Sequence, residues 1–322
     1  MTRVSVVVPT RNAGAEFPEV LGAILAQEIR GTLEVVAIDS GSTDGTLELL
    51  RDRPVRLIEI PPGEFNHGAT RNLGVREARG ELVGLVVQDA RPLDRRWLQR
   101  LVDCFEDPVV AGAYSCQIPR PDANPFIRDR LRRWVAAQTE PRTQQVAGED
   151  ELLALPPLER LSRVAFDNVS SCVRRSVALE IPFRRKQFGE DLDWGYRAVL
   201  AGYSLVFEPR SKVVHSHNRS IWYEFKRIYL DHQNLHDLLG VSTVPAARSV
   251  VAATRAAVPD LWRAVRGDAG LSRRQRLLWR AKALPYALSQ NLAQYLGARS
   301  VEALRRGDEL FRRLDPILRR GV

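Results

Sequence analysis

The strongest constraint on the fold is an alternation between valine-rich apolar runs and helical patterns over residues 4–117. Five apolar runs are continuous, as expected for strands buried on both faces: residues 4–9, 33–39, 55–60, 82–89 and 109–116. The stretches between them suit helices, at residues 16–27, 43–51, 68–78 and 93–105. Repeated strand–helix units predict an α/β protein with a mostly parallel sheet and helices on both faces.

Polar segments follow three of these strands directly. They read PTRN at residues 9–12, DSGSTDGT at 39–46 and QDARP at 88–92. In open parallel sheets, ligands bind in the crevice outside the carboxyl ends of the strands. The sequence therefore predicts a binding crevice built from three strand ends.

Asp89 and two histidines are candidate metal ligands. Mg²⁺ takes one or two protein carboxylates and fills its remaining positions with phosphate oxygens and water, which suits Asp89 at a strand end. His215 and His217 lie two residues apart, so on a strand they point the same way. The alternatives are a helix N-cap for Asp89 and a solvated pair for the histidines.

The segment GEDLDW places three acids behind a glycine at the start of a predicted helix. Glu190, Asp191 and Asp193 suit the positive end of a helix dipole, which is the plain interpretation. The functional interpretation is a general base held at the mouth of the crevice. Both interpretations stay open at this point.

The segment EFNHGATRNLGV, residues 64–75, concentrates polar side chains around Gly68. We predict a turn followed by a helix with Asn66 as its cap. Helix N-termini bind phosphate through free N–H groups, and Arg71 adds a forked cation, so the segment suits a diphosphate. Alternatively, Arg71 pairs with Glu77 or Asp44.

The middle of the chain gives weaker signals. A basic helix is predicted near residues 125–139, followed by a mobile loop over residues 143–151. We predict one domain over residues 1–218, which divides near residue 117 where the strand–helix alternation ends. Residues 219–322 are predicted to form a basic C-terminal helical region.

The net charge lies at the C-terminus. Residues 251–322 hold 15 Lys and Arg against 6 Asp and Glu, so 15 − 6 gives +9, the charge of the whole chain. Leu284, Leu288, Leu292 and Leu296 form an i, i+4 stripe there. This region suggests a peripheral membrane contact or a homodimer surface; a helical cap on the catalytic domain is the alternative. A nucleic-acid-binding protein would explain the charge, but no aromatic stacking platform accompanies it.

The N-terminus predicts the compartment. Its first apolar run is short and lacks a small-residue cleavage site, so we expect a first strand rather than a secretion signal. Cys104, Cys116 and Cys172 lack metal spacing and suggest buried reduced thiols. We therefore expect a cytoplasmic protein, with the inner face of the cell membrane as an alternative location.

Five motifs, in order, resemble those of the family 2 glycosyltransferases. They are VSVVVPTRNAG, VVAIDSGSTDGT, HGATRNLGVREARGELVGLVVQDARP, SSCVRRSVALEIPF and GEDLDWGYRAVLAGY. The resemblance covers about residues 3–218 and implies an inverting enzyme with the Rossmann-like GT-A fold. It implies that residues 1–218 form the catalytic domain, with nucleotide-sugar binding in residues 1–117 and acceptor binding and catalysis in residues 118–218. The form FNHGATRN with QDA after it is similar to the rhamnosyltransferase-like branch, which implies dTDP-L-rhamnose as donor. A UDP- or GDP-sugar is the alternative, and the implied acceptor is a glycan or a polyprenyl-linked glycan.

The resemblance also implies roles for individual residues. Residues of the nucleotide-sugar site would be Pro9, Thr10, Arg11, Asp39, Asp44, His67, Arg71 and Asp89, with Asp39 reading the base and Arg71 contacting the diphosphate. Asp191 would be the catalytic base, with Glu190 as the second candidate. Asp193 and Trp194 would contact the acceptor.

A divalent cation, Mg²⁺ or Mn²⁺, would bind Asp89 with His215 or His217. Two departures from the family pattern thin this site, because Ser40 and Val87 stand where the family usually has acids. Weak or absent metal dependence is therefore an open alternative.

Overall fold

A computed structural model describes residues 2–133 and 139–321. Within those residues nine strands form one sheet. Their bounds are β1 Thr2–Thr10, β2 Gly31–Asp39, β3 Arg56–Glu59, β4 Leu82–Val86, β5 Arg91–Pro92, β6 Val110–Ile118, β7 Arg142–Gln144, β8 Ser170–Arg174 and β9 Ser204–Val214. All five predicted strands are present.

The sheet is mixed, with the order β3-β2-β1-β4-β8-β6-β9-β5, and β7 pairs with β9. Strands β1 to β4 pair in parallel, as the alternating pattern predicts. Strand β8 lies antiparallel to both β4 and β6, whereas β6 and β9 are parallel. The prediction of a mostly parallel sheet therefore holds for the first half of the sheet only. The carboxyl ends of β1, β2 and β4 lie at one edge.

The helices of the first 216 residues separate these strands. Their bounds are α1 Phe17–Leu25, α2 Thr46–Arg51, α3 His67–Glu77, α4 Trp97–Asp103, α5 Pro125–Leu131, α6 Glu149–Ala154, α7 Pro157–Val164, α8 Arg175–Glu180 and α9 Glu190–Leu200. The four helices predicted before residue 106 are present. The helix predicted over 125–139 is described as far as α5, and residues 134–138 lie outside the described residues.

The core of the sheet is aliphatic, with aromatic side chains at its margins. Alternate residues Val4, Val6 and Val8 of β1 pack with Phe17 of α1 and Trp97 of α4, all nearly inaccessible to solvent. Branched side chains fill a pleated surface well, which explains why valine-rich runs form these strands. Cys116 and Cys172 are buried thiols, as expected, whereas Cys104 is half-buried.

The segment predicted to be a mobile loop has regular structure. Its first residues form β7, which pairs antiparallel with β9, and its last residues form the start of α6. The interpretation as a loop is wrong because polarity alone does not reveal strand pairing. Gln144 is buried, accepts a hydrogen bond from the Tyr114 hydroxyl at 2.8 Å and donates to the Ala165 carbonyl.

The chain divides into two compact units. The first comprises residues 1–120, 131–155 and 162–216, and holds the whole sheet. The second comprises residues 121–130, 156–161 and 217–322. It contains the helices α10 Ile221–Leu239, α11 Ala247–Gly267, α12 Arg273–Arg305 and α13 Glu309–Arg319.

Small residues of α12 form its packed face in the second unit. Ala283 and Ala287 join Phe126, Leu261 and Val265 in a buried cluster. Further along α12, a side chain on Gly297 would meet the Tyr229 carbonyl of α10 at 2.3 Å. Helices with small residues at the contact approach each other closely. The alanine face, and not the leucine stripe, therefore packs inside this unit.

The leucine stripe of α12 is exposed, about 100° around the helix from the packed alanines. Leu284 is 58% exposed and Leu288 is 45% exposed, and Leu292 is also exposed, whereas Leu296 is half-buried. Leu277 extends the apolar surface by two turns toward the helix start. Among the described residues, no helix has both the length and the apolar character needed to cross a membrane.

Candidate active site

The loops after β1 and β2 are bound to each other by hydrogen bonds. The Asn12 amide donates to Ser42 Oγ at 2.8 Å, and the Thr43 amide donates to Asn12 Oδ1 at 2.8 Å. Asn12 has a φ of 44°, in the left-handed region that a short polar side chain tolerates. Two of the three predicted strand-end segments therefore form one structure.

Asp39, the last residue of β2, organises this structure. Its carboxylate accepts four hydrogen bonds, from the Gly41 and Ser42 amides and from the Thr10 and Ser42 hydroxyls, at 2.6 to 3.0 Å. An ionised carboxylate has about four lone-pair sites, so the protein uses them all. Asp39 is fully buried, and its carboxylate is occupied by hydrogen bonds within the loops. It therefore has no vacant acceptor position for the predicted contact with the nucleotide base.

Asp44 and Gln88 complete the edge. Asp44 accepts from the Thr46 hydroxyl at 2.6 Å and from the Gly14 amide at 3.0 Å, and the Thr46 hydrogen bond lowers the pKa of Asp44. Gln88, after β4, exchanges hydrogen bonds with the amide and carbonyl of Arg11. Pro9 lies in β1 beside Ile38, while the Arg11 side chain is exposed. The third strand end is thereby joined to the first.

Helix α3 holds the segment 183–186 through its cap residue Asn66 and through Asn72. Asn66 caps the helix by accepting from the Ala69 amide, as predicted, and its Nδ2 donates to the Lys186 carbonyl at 3.0 Å. Asn72 exchanges two hydrogen bonds with the backbone of Phe183, at 2.7 and 2.9 Å. A side chain on Gly68 would meet the Arg184 carbonyl at 2.2 Å. Gly68 and Asn72 therefore fix the chain that leads into α9.

Arg71 of α3 also faces inward. Its guanidinium forms a buried ion pair with Glu190, the first residue of α9, and donates to the Asn168 carbonyl at 3.5 Å. Arg71 and Glu190 are 4% and 6% exposed. This pairing differs from the predicted diphosphate contact and from the alternative partners Glu77 and Asp44. A diphosphate would bind at a position that solvent can reach. The Arg71 guanidinium is buried and already paired with Glu190, so it does not face such a position.

Asp191 follows Glu190 and is half-buried. Its two carboxylate oxygens accept from the Leu192 amide at 2.8 Å and the Asn168 amide at 3.2 Å. Burial, followed by the neighbouring charge of Glu190, raises the pKa of Asp191 to about 6, against the opposing effect of Arg71. The carboxylate is therefore a better proton acceptor than an ordinary aspartate.

Asn168 is a residue that the sequence reasoning missed. Its amide contacts Asp191, its carbonyl contacts Arg71, and its Oδ1 accepts from the Ser171 hydroxyl at 2.8 Å. Its Nδ2 is buried and has no hydrogen-bond partner among the described residues. Its signal in the sequence is weak, since it lies two residues before the motif SSCVRRSVALEIPF.

Asp193 and Trp194 do not fit the predicted acceptor contacts. Trp194 is fully buried, stacks on Phe183 at 5.3 Å and donates from Nε1 to the Ile181 carbonyl. Asp193 is 2% exposed and pairs with Arg184 and Arg197. Both side chains lie on the packed face of α9, so they offer an acceptor little accessible surface in this structure. His67, in contrast, is exposed in the first turn of α3, with its ring edge-on to Phe65.

Asp89, His215 and His217 converge. Their nearest ligand atoms all lie within 4.8 Å of one another, and Asp89 Oδ1 is 3.6 Å from His215 Nε2. Two ligands of one ion, each about 2.1 Å from it, stand roughly 3 to 4 Å apart, so this pair fits a small divalent cation. The N-cap alternative for Asp89 is wrong because α4 begins at Trp97. One carboxylate and two imidazoles suit Mn²⁺ better than Mg²⁺.

Solved structures of two enzymes share this fold. One is a mannosyltransferase from Pyrobaculum calidifontis, solved with GDP-mannose and Mn²⁺, which is 22% identical, with a TM-score of 0.58 over 94% of this chain and 87% of that chain. The other is glucosyl-3-phosphoglycerate synthase from Mycobacterium tuberculosis, solved with Mn²⁺ and UDP, with 18% identity and a TM-score of 0.52 over 76% of this chain and 82% of that chain. The fold is therefore of the GT-A type.

Sequence comparisons identify the family. The O-antigen chain rhamnosyltransferase RfbN of Salmonella typhimurium is 30% identical over 233 residues, which cover 70% of each chain. The family model for glycosyl transferase family 2 matches residues 5–169. That match spans the paired loops, Asp89 and Asn168, and more than half of the sequence. The chain belongs to glycosyl transferase family 2.

Proposed function

We propose that this glycosyltransferase moves a sugar from a nucleotide sugar to a hydroxyl group of a glycan or of a polyprenyl-linked glycan, with inversion at the anomeric carbon. The observation that carries the proposal is Asp191. Its half-buried carboxylate is held by two backbone amides and has a raised pKa. These are the properties of a general base that must act on a sugar hydroxyl near neutral pH.

Asp191 removes the proton of the acceptor hydroxyl as that oxygen attacks the anomeric carbon. Its two amide contacts fix the orientation of the carboxylate, which contributes to rate by positioning. Glu190 and Arg71 act on Asp191 through their charges, which shift its pKa in opposite directions. We therefore assign Arg71 and Glu190 to positioning rather than to the diphosphate and proton transfer.

The nucleotide lies over the paired loops in this proposal. The backbone of residues 40–42 is fixed by Asp39, and the exposed Arg11 side chain is available to the donor. Thr10 and Asp44 keep the two loops in place through their hydrogen bonds. The exposed His67 lies at the N-terminus of α3, where free amides favour an anion.

Asp89, His215 and His217 would hold a divalent cation, with Mn²⁺ the best fit to their donor atoms. When bound, such an ion supplies positive charge that stabilises the departing nucleoside diphosphate. Both similar enzymes were solved with Mn²⁺, which supports metal dependence in this chain. The absence of the first acid at Val87 leaves Asp89 as the strand-end carboxylate of this group.

We propose dTDP-L-rhamnose as the donor because the chain is 30% identical to an O-antigen chain rhamnosyltransferase. A UDP- or GDP-sugar on the same scaffold is the alternative. The test is release of nucleoside diphosphate from dTDP-, UDP- and GDP-sugars, with Mn²⁺ and with EDTA. We expect release from the dTDP donor with Mn²⁺. Release from no donor, or equal release by Asp191→Asn, would contradict the proposal.

We also propose that the second unit contacts a membrane from the cytoplasmic side. The exposed leucines Leu277, Leu284, Leu288 and Leu292 extend over about 22 Å of α12. Exposed Arg273, Arg274, Arg280 and Lys282 flank them. An apolar stripe bordered by cations suits an interface with anionic lipid.

The full-length chain tests this surface. Cosedimentation with anionic vesicles should weaken in Leu284→Ser/Leu288→Ser and with added salt, whereas Leu310→Ser, equally exposed elsewhere, should bind like wild type. Unchanged vesicle binding in the double variant would contradict the membrane contact. If the double variant instead halves the mass in light scattering, the stripe is a homodimer surface.

A further inference from the structure

Gln117 and Asp167 join the metal-ligand group to the segment that precedes β8. Gln117 lies near the end of β6, in register with Val213 of the parallel strand β9, so its side chain reaches His215 just beyond β9. Gln117 Oε1 lies 2.9 Å from His215 Nδ1, and Gln117 Nε2 donates to Asp167 Oδ2. We propose that Gln117 and Asp167 are positioning residues that set the tautomer of His215 so that its Nε2 can bind a divalent cation. The inference rests on the metal site of the proposed function.

The argument starts at Asp167, because an ionised carboxylate can only accept hydrogen bonds. One oxygen, Oδ1, accepts from the Val169 amide at 2.9 Å, and the other faces Gln117. The Gln117 group that faces Asp167 must therefore be the amide nitrogen. The hydrogen bonds therefore fix the orientation of the Gln117 amide. Shape alone would not fix it, because the oxygen and nitrogen of an amide are nearly the same size.

The orientation of Gln117 then decides where His215 carries its proton. The amide oxygen, which only accepts, faces His215 Nδ1, so Nδ1 must be the donor. A neutral imidazole with its proton on Nδ1 has a lone pair on Nε2. His215 Nε2 is the nitrogen that lies 3.6 Å from Asp89 Oδ1. The lone pair thus belongs to the nitrogen beside the other metal ligand.

Substituting a residue that hydrogen-bonds a metal ligand typically lowers metal affinity by about 10- to 100-fold. Asp167→Asn tests the inference because it changes the direction of the hydrogen bonds while keeping the size of the side chain. The new Oδ1 can still accept from the Val169 amide, so the new Nδ2 faces Gln117. Gln117 must then present its oxygen to position 167 and its nitrogen to His215. His215 Nδ1 becomes the acceptor, and the proton moves to Nε2.

Two measurements on the full-length chain follow. Nitrogen NMR of ¹⁵N-histidine protein without metal, with His215→Ala for assignment, should show a protonated Nδ1 and an unprotonated Nε2 in the wild type. The two assignments should exchange in Asp167→Asn. Mn²⁺ titration followed by electron paramagnetic resonance should show affinity reduced by about 10- to 100-fold in Asp167→Asn.

Asp103→Asn is the matched control, because Asp103 also accepts from a glutamine, Gln99, within α4 and its neighbouring turn. It should bind Mn²⁺ like the wild type. A wild-type His215 protonated on Nε2, or wild-type Mn²⁺ affinity in Asp167→Asn, would overturn the inference. Failure of sugar transfer with the expected tautomer and Mn²⁺ binding would overturn the proposed function and leave this inference standing.

Discussion

Two aspartates of the first unit, Asp191 and Asp89, lie in contrasting surroundings. Asp191 is bounded by Glu190, by the buried guanidinium of Arg71 and by two backbone amides. The Asp89 side chain is 31% exposed, and its Oδ1 lies 3.6 Å from His215 Nε2, beyond hydrogen-bonding distance. The Asp191 carboxylate accepts two backbone hydrogen bonds, whereas the Asp89 carboxylate lies beside two histidines that could share a cation with it.

The difference matches the two tasks that we propose for Asp191 and Asp89. A general base works best when its carboxylate is oriented and poorly hydrated, since both raise its basicity and hold it in line. A metal ligand must remain accessible, because the cation also binds substrate phosphate. The base side should therefore be sensitive to substitutions that break packed ion pairs, and the metal side to chelators.

The largest effect is expected from Asp191→Asn. An amide cannot accept the acceptor proton, so turnover should fall by roughly 10² to 10⁴. Nucleotide affinity should survive, because the paired loops around Thr10 and Asp39 are unaffected. Turnover and nucleotide binding are measured on the same variant. Near-normal turnover would move the role of the base to Glu190.

Arg71→Met is expected to reduce stability most. It leaves the buried Glu190 carboxylate without its ion-pair partner, which should lower the free energy of unfolding by about 3 to 5 kcal/mol. Arg71→Met/Glu190→Met should recover most of the loss, because it removes both charges. Urea unfolding is the measurement. The exposed pair Arg51–Glu59 supplies the control, since Arg51→Met should change the free energy of unfolding far less than Arg71→Met. Equal losses of unfolding free energy in Arg71→Met and Arg51→Met would contradict the expected cost of leaving Glu190 buried without a partner.

Asp89→Asn should act through the cation instead. Weaker metal binding should reduce turnover by roughly 10²-fold, reflecting several kcal/mol of transition-state stabilisation. The thermal shift produced by dTDP or UDP should no longer increase with Mn²⁺. Asp103→Asn should retain that increase. A wild-type shift that is equal in Mn²⁺ and EDTA would remove the metal from the mechanism.

The pH dependence should report Asp191. Because the pKa of Asp191 is raised to about 6, kcat/KM should fall below that pH by up to about tenfold per pH unit as the base becomes protonated.

The pH dependence of the free energy of unfolding follows from the same raised pKa of Asp191. The protonated form stabilises the fold below pH 3.8, and this contribution is lost as the pH rises through about 6. The free energy of unfolding of Asp191→Asn, relative to wild type, should therefore increase over that interval. A constant difference would place the titration on another group.

Several features were predictable because they are encoded locally. The valine-rich runs of β1, β2 and β4, and the cap of α3 at Asn66, follow from periodicity and short-range hydrogen bonding. Asp89 at a strand end and Asp191 at a helix start follow from the same patterns. The sequence by itself therefore determined the α/β class and the positions of both carboxylates along the chain.

Partners distant in sequence were decided by the tertiary structure. Arg71 meets Glu190, 119 residues away, and Gln117 meets His215, 98 residues away. No local periodicity encodes such pairs, since the first depends on which helices pack together and the second on which strands become neighbours. The antiparallel insertion of β8 between β4 and β6 places Asn168 beside Asp191.

The tertiary structure also decided which face of each amphipathic helix packs inside the protein. Trp194 of α9 faces the core, although its neighbour Asp191 lies at the site. On α12, alanines such as Ala283 form the packed face, and Leu284 and Leu288 lie outside. An apolar stripe in the sequence does not reveal which face of a helix packs inside the protein. Close helix packing favours small residues over large ones, so alanines can form the packed face while leucines stay exposed. Composition and spacing therefore specified the elements, and the packing of distant surfaces specified the roles of their side chains.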